Sequence, residues 1–263
     1  MQIAITRGVS RTLGNCELSF LDRSPIDVAL ARRQHRTYEH ALEAAGCRVI
    51  ALPADDDSPD AVFVEDVAVV LDEVAICTRP GATSRRAEVA SVANALEAHR
   101  ALRTIEAPGT LDGGDVLRIA RTLYVGRSAR TNASGIDQLR SLVAGEALGG
   151  QGYEVRPVPV RGCLHLKSAV TLVSEDTVLI NPAWVDRAHF RDLRQIDVDP
   201  AEPHAANALR VGGGVIYPAC FPRTLRRLAD AGIEVTSVDV SELLKAEGAV
   251  TCCSLVFDAR SNA

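Results

Sequence analysis

The sequence predicts an α/β protein built as a five-bladed propeller, five ββαβ units around a pseudo-fivefold axis. Three observations carry that expectation. Paired apolar runs split by a short polar turn recur as VAVV-LDE-VAICT, DVLRI-ART-LYVG, AVTLV-SEDT-VLIN and ALRV-GGG-VIYPA, each a hairpin signature. A stretch with helical spacing and then one more strand-like run follow each pair. The polar residues at the hairpin starts, Asp66, Asp112, His165, Asn207 and Cys252, recur at roughly forty- to fifty-residue intervals, the range of propellers and arrays. The competing reading is an ordinary α+β sheet whose unit lengths agree by chance, since the units share little side-chain identity.

Taken in order, helices are expected over 85–100, 135–143, 182–193 and 222–231, with closing strands at LRTIEA, YEVRPVPV, RQIDVD and IEVTSVDV. The fifth unit is split across the termini. It has an apolar strand at 253–257, a partner strand at 2–6, a helix over 25–45 and the strand CRVIALP. Pairing the last strand with the first removes an exposed sheet edge, which is a physical reason for a closed ring.

Composition bounds the remaining choices. A chain of 263 residues can hold one large domain or two small ones, and the repeat favours a single domain over 1–263. With 47% hydrophobic and 24% charged residues the chain is neither disordered nor membranous in composition. Its net charge of −5 argues against nucleic acid or an anionic membrane as partner and suits a small cationic substrate. The N-terminus enters an apolar alternating stretch without the pattern of a secretory signal, and no segment approaches membrane-spanning length. Seven cysteines, an odd number without a CxxC, then read as reduced thiols in the cytoplasm. Cys47 and Cys77, in strand-like runs, read as small buried apolar side chains, while Cys16 and Cys220 stay open. The sequence leaves monomer and homodimer equally open.

In a ring, equivalent hairpin starts converge at one end of the channel, so Asp66, Asp112, His165 and Cys252 would meet there. A cysteine and a histidine are the minimum for thiol nucleophilic catalysis, with a carboxylate to orient the imidazole. The other histidines, at 35, 40, 99, 189 and 204, lie in helical or loop patterns where a solvated side chain is the plain reading. His165 differs because GCLHLKS sets it where a turn enters an apolar strand. The vicinal Cys252 and Cys253 invite a disulfide or zinc, but a bridge between neighbours is strained and no four-ligand set exists. Adventitious zinc at Cys252 and His165 would only inhibit. Strand alternation would aim one thiol into the channel, and Cys252 is the choice, though pattern alone barely separates it from Cys253.

In TLDGGDVL the two glycines permit a tight turn bringing Asp112 and Asp115 to one locus; the plain alternative is a turn of solvated aspartates. Asp60, Glu65 and Asp66 enter an apolar strand together, an arrangement that suits a guanidinium, a permanently charged flat fork. The Arg-bearing loops TRPGATSRR and GRSARTN could hold a carboxylate. Acid for one end and base for the other describes an arginine-like amino acid.

Together FVEDVAVV, TRPGATSRR, TLDGGDVL, RTN, HLKS and TCCSL resemble the dimethylarginine dimethylaminohydrolases of the guanidine-modifying pentein superfamily, from about Arg7 to Phe257. The resemblance implies a five-bladed α/β propeller and a cofactor-free hydrolase converting Nω-methylated arginine to citrulline and a methylamine. It also implies Cys252 as nucleophile, His165 as general acid and base, and Asp112 as the carboxylate orienting His165. Glu65 and Asp66 would bind the guanidinium, Asp60, Arg85, Arg130 and Ala246 the amino-acid end, and Leu18 would lie in a lid. An arginine deiminase is compatible with the same superfamily, and a non-catalytic amino-acid-binding pentein is the alternative from another class.

Overall fold

The computed structural model describes residues 1–260; residues 261–263, included in the expected domain over 1–263, lie outside the described residues. Fifteen strands form five three-stranded sheets of one design. In chain order they are β1 (Gln2–Arg7) and β2 (Cys47–Leu52), then β3 (Ala68–Val70), β4 (Val74–Cys77) and β5 (Ala101–Thr104). Next come β6 (Val116–Ile119), β7 (Thr122–Arg127) and β8 (Glu154–Pro159), then β9 (Val170–Leu172), β10 (Thr177–Ile180) and β11 (Arg194–Asp197). The last are β12 (Leu209–Val211), β13 (Gly214–Pro218), β14 (Val235–Val238) and β15 (Leu255–Asp258).

In every sheet the central strand pairs antiparallel with its hairpin partner and parallel with the third strand, as β3-β4-β5 and β6-β7-β8 do. The split sheet obeys the same rule, with β15 antiparallel and β2 parallel to β1, so that Gln2 faces Asp258 and Ile5 faces Leu255. A parallel third strand needs a crossover, and helices supply most of them. The helix Val28–Ala44 starts at Asp27, whose carboxylate accepts the Leu30 N–H at 2.9 Å, and buries Ala31, Tyr38 and Leu42 on one face. Asn132 caps the helix Ala133–Leu142 in the same way, and Pro222 opens the helix Pro222–Asp230 where no N–H is needed.

The fourth crossover differs from the sequence expectation. Residues 182–193 form no α-helix, only a 3-10 turn at Arg187–Phe190. Side chains there satisfy the backbone locally: Asn181 Oδ1 accepts from Ala183 N and Asp186 Oδ1 from Ala188 N, contacts that compete with helical bonds. The strand β11 begins at Arg194, leaving little chain for a longer helix.

The hairpin starts pack against one another through glycine. A Cβ on Gly113 would lie 1.9 Å from the backbone oxygen of Glu65, and one on Gly114 would lie 2.6 Å from His165 Nδ1. The tight turn expected between Asp112 and Asp115 is present, with the Asp115 N–H donating to Asp112 O at 3.0 Å, and close approach is what demands glycine within it. Among the described residues no helix is long and apolar enough to cross a membrane. Because the obstacle at Gly113 is backbone, Gly113→Ala should destabilise the fold by about 1–3 kcal/mol, the cost of overpacking. Urea denaturation measures it, and a midpoint equal to wild type would show that the two turns separate freely.

Candidate active site

Turns, not strands, present the reactive groups. The turn at Val64–Val67 carries Glu65 and Asp66, Gly113–Asp115 follows Asp112, and His165 stands just before the short helix Leu166–Ala169. Cys252 and Cys253 also sit in a turn ahead of β15, whose first residue is Leu255. Strand alternation therefore does not separate the two thiols. The turn does: Cys253 is fully buried in the apolar core with its Sγ 3.4 Å from Ala249 O, whereas Cys252 is partly exposed and lines a cavity.

The imidazole of His165 lies between two carboxylates. Its Nε2 is 3.0 Å from Asp112 Oδ2 and its Nδ1 is 3.6 Å from Asp66 Oδ1. The other oxygen of Asp112 accepts the Gly81 N–H at 2.8 Å, which fixes the carboxylate facing the ring. Asp115 does not touch the ring. It accepts from Ser128 Oγ, Thr131 Oγ1 and the Leu166 N–H, and so anchors the segment that carries His165.

Asp66 also accepts from Gly114 N–H and pairs with Arg85 Nη1. The remaining donors of Arg85 go to Glu88, Phe63 O and Asp60 O, so this arginine is buried and largely engaged. Glu65 faces away from His165, bonded to Lys167 Nζ and Thr251 Oγ1. The Glu65 N–H donates to the carbonyl of Cys252 at 3.1 Å, tying the acid turn to the thiol turn. Asn207 joins through Thr251, giving and receiving one hydrogen bond.

Of the predicted residues, Asp60, Asp66, Arg85, Arg130, His165, Ala246 and Cys252 line one narrow cavity. Asp112 stands behind His165, and Glu65 lines a separate cavity with Lys167 and Thr251. Leu18 packs at the margin of the core without lining the narrow cavity. The carboxylates of Asp66 and Asp112 and the His165 ring also form the one cluster among the described residues with ligand atoms close enough for a metal ion, within 4.8 Å. Arg85 and the protonated ring already balance those carboxylates, so an ion would have to displace both a proton and an ion-pair partner.

The model of the family described as "N,N dimethylarginine dimethylhydrolase, eukaryotic" matches residues 22–257. The N(G),N(G)-dimethylarginine dimethylaminohydrolase of Streptomyces coelicolor is 43% identical over 253 residues, covering 96% of this chain and 95% of that one. The chain belongs to the dimethylarginine dimethylaminohydrolase family. A solved structure of the Pseudomonas aeruginosa member, a cysteine-to-serine variant complexed with citrulline, superposes with a TM-score of 0.91 at 35% identity, covering 97% of this chain and 98% of that one. A histidine-to-glycine variant of a dimethylarginine dimethylaminohydrolase, an adduct with S-methyl-L-thiocitrulline, gives 0.92 at 35% identity, covering 98% of this chain and 100% of that one.

Electrostatics give this dimethylarginine dimethylaminohydrolase family member a protonated resting site. Burial disfavours the charged form of His165, but Asp66, the Asp112 hydrogen bond and Asp115 outweigh it and raise the ring to about 9. Burial works against the charge on Asp66 too, yet His165 and Arg85 hold it below the usual carboxylate range. Burial pushes the Cys252 thiol up to about 12, helped by the nearby Glu65 and Asp66 charges. Near neutral pH the pair is therefore thiol and imidazolium. Four contributors escaped the sequence reading of the site: Lys167, Thr251, Glu88 and Glu247. Lys167 stands within HLKS, but its partner Glu65 comes from another unit; Glu88 stands three residues after Arg85 and pairs with it inside one unit.

These positions fix a pH dependence for the free protein. Alkylation of Cys252 by neutral iodoacetamide, followed by mass spectrometry, should rise about tenfold per pH unit from 7 to 9 without a plateau, because only the thiolate reacts. A plateau below pH 8 would mean that the thiolate is already formed in the empty site.

Proposed function

We propose that the chain hydrolyses Nω-methylated arginine to citrulline and a methylamine by covalent catalysis at Cys252. The observation that carries this reading is the convergence on one cavity of a partly exposed thiol, an imidazole between two carboxylates, and a lining that offers both acids and arginines. The likeness to a Pseudomonas aeruginosa relative bound to citrulline supports the product class. The fold reading that goes with it is one domain over 1–263, its five sheets closed into a propeller about a pseudo-fivefold axis. The neighbouring first strands support that closure, with β15 against β3, β6 against β9 and β9 against β12. Seven unbridged cysteines suit a reducing cytoplasm.

In this mechanism the substrate guanidinium lies over Cys252 with its charge toward Asp66. Asp66 keeps Arg85 as a second partner, so substrate and Arg85 share its two oxygens. Arg130 takes the α-carboxylate with Arg85 behind it, Asp60 and the Ala246 backbone take the α-ammonium, and Leu18 closes over the ligand. Glu65, neutralised by Lys167, shapes the floor of the site through Thr251 and the Cys252 carbonyl.

Activation of the thiol waits for the substrate. A cation 4 Å from the sulfur favours the thiolate by about 4 kcal/mol at an effective dielectric of 20, about the size needed to offset a thiol held so high. Because His165 already carries a proton, the thiol of Cys252 loses its own to solvent, and the thiolate sulfur then adds to the guanidinium carbon. The His165 imidazolium gives its proton to the methylated nitrogen, and the neutral amine departs. The S-alkylthiouronium left on Cys252 is attacked by water whose proton His165 takes up. Collapse releases citrulline and returns the sulfur. Asp112 holds the ring in register for both transfers and stabilises its charged form.

The test is citrulline release from arginine, monomethylarginine and asymmetric dimethylarginine. Wild type should process the methylated substrates, Cys252→Ser should abolish turnover, and Cys253→Ser should retain most of it because its thiol packs in the core. Equal loss in both variants removes the assignment of the nucleophile, and arginine as the preferred substrate would favour a deiminase.

A further inference from the structure

The cavity between Arg130, Asp60, His165 and Cys252 has a volume of about 20 Å³. By the same measure one water needs roughly 10–15 Å³, so the site holds about one water and no amino acid. Its walls must move for a substrate to enter. Cys252 also lines a larger cavity of about 210 Å³, walled by apolar side chains that include Leu21, Leu164 and Phe221. Residues 17–21 form the roof of both spaces: Glu17 lines the narrow cavity, and Phe20 and Leu21 line the larger one. This segment has no regular secondary structure, and Phe20 is 48% exposed.

Side chains from elsewhere, not a strand ladder, hold the segment down. Asp60 Oδ2 accepts the Glu17 N–H at 3.0 Å, and Arg130 Nη2 donates to Ser19 Oγ at 3.2 Å. The densest tether is Glu247. Its carboxylate accepts three consecutive backbone N–H groups, from Ser19 at 3.0 and 3.1 Å, Phe20 at 2.5 Å and Leu21 at 2.6 Å. Charge-assisted bonds of this kind are the strong ones. Glu247 lines both cavities, and its backbone sits in the left-handed region at φ 58°, a strained conformation for such a residue. A strained turn, five residues before the nucleophile, thus presents a carboxylate to the roof.

We propose that Glu247 is a positioning residue that latches residues 17–21 over the site and sets the entry of the cationic amino acid. Release of the three N–H groups frees the roof and opens the narrow space toward the larger cavity. Re-formation returns Ser19 to Arg130 and closes the amino-acid end. The proposal rests on the reading of function above only for what enters; the latch follows from the hydrogen bonds and the size of the cavity.

Glu247→Gln removes the charge and one acceptor oxygen at nearly constant shape, Glu247→Ala removes the latch, and Glu247→Asp keeps the charge. Each is treated with iodoacetamide and with a bulky neutral maleimide, and modification of Cys252 is followed by mass spectrometry. Glu247→Gln and Glu247→Ala should raise the maleimide-to-iodoacetamide rate ratio about tenfold. They should also speed tryptic cleavage after Arg23 and raise KM for asymmetric dimethylarginine more than they change kcat. Glu247→Asp should restore much of the ratio. A Glu247→Gln protein with wild-type Tm and a ratio within twofold of wild type would overturn the latch. Should Glu247→Gln fail to fold, Leu21→Pro deletes one donor with Glu247 intact, and the same rise or constancy of the ratio decides. A wild-type protein that forms no citrulline would defeat the reading of function and leave the alkylation test standing.

Discussion

A charged imidazole held between two buried carboxylates is the constraint around which the site is arranged. Burial alone would strip His165 of its proton, and Asp66 and Asp112 beside the ring, with Asp115 behind them, reverse that preference. Two acids cannot be buried without counter-charge, so Arg85 is drawn to Asp66 and Glu88 follows to balance Arg85. The approach distances leave no room for side chains at Gly113 and Gly114. The charged ring thus goes with a glycine at 114, a buried Arg85 and the Glu88 that balances it.

Beside the Asp66–Arg85–Glu88 chain inside one unit, many of the bonds that build the site run between units. Asp66 comes from the turn before β3, Asp112 from the turn before β6, His165 from the turn before β9, Asn207 from just before β12 and Cys252 from just before β15. Each reaches the next: Asp66 and Asp112 to the His165 ring, Lys167 to Glu65, Asn207 to Thr251, and Glu65 N–H to the Cys252 carbonyl. Pairing β15 with β1 is what brings the last of these turns home, since it carries the thiol back to the start of the chain. The same strand pairings that order the sheets therefore order the turns that carry these side chains. Substitutions at these turns will disturb both, which is why measurements that separate chemistry from folding matter here.

Much of this was legible because hairpins and their turns leave a local mark. VAVV-LDE-VAICT and its counterparts alternate apolar runs with polar breaks, and every hairpin and closing strand expected from them is present. The helix expected over 182–193 does not form, because Asn181 and Asp186 turn their side chains onto the backbone, and that competition leaves a fainter mark in a sequence than the apolar spacing that suggests a helix. Cys252 was separated from Cys253 on the wrong ground. Both lie in a turn, and core packing around Cys253 does what strand alternation was expected to do. Glu247 left no trace in the pattern, because its partners are three backbone N–H groups that any residues at 19–21 would supply. Contacts that depend on residue type are visible in a sequence; contacts to backbone across more than two hundred residues are not.

In the proposed mechanism a thiol kept protonated in the empty site becomes the nucleophile when a guanidinium arrives and carries the carbon through the reaction. Rapid quenching of the wild-type protein with asymmetric dimethylarginine in acid, followed by peptide mass spectrometry, tests it most directly. A transient adduct of the substrate minus dimethylamine should appear on Cys252, rising before citrulline reaches its steady rate. Citrulline formed with no adduct at any time resolved before the first turnover, or with the adduct on Cys220 or Cys253, would contradict it.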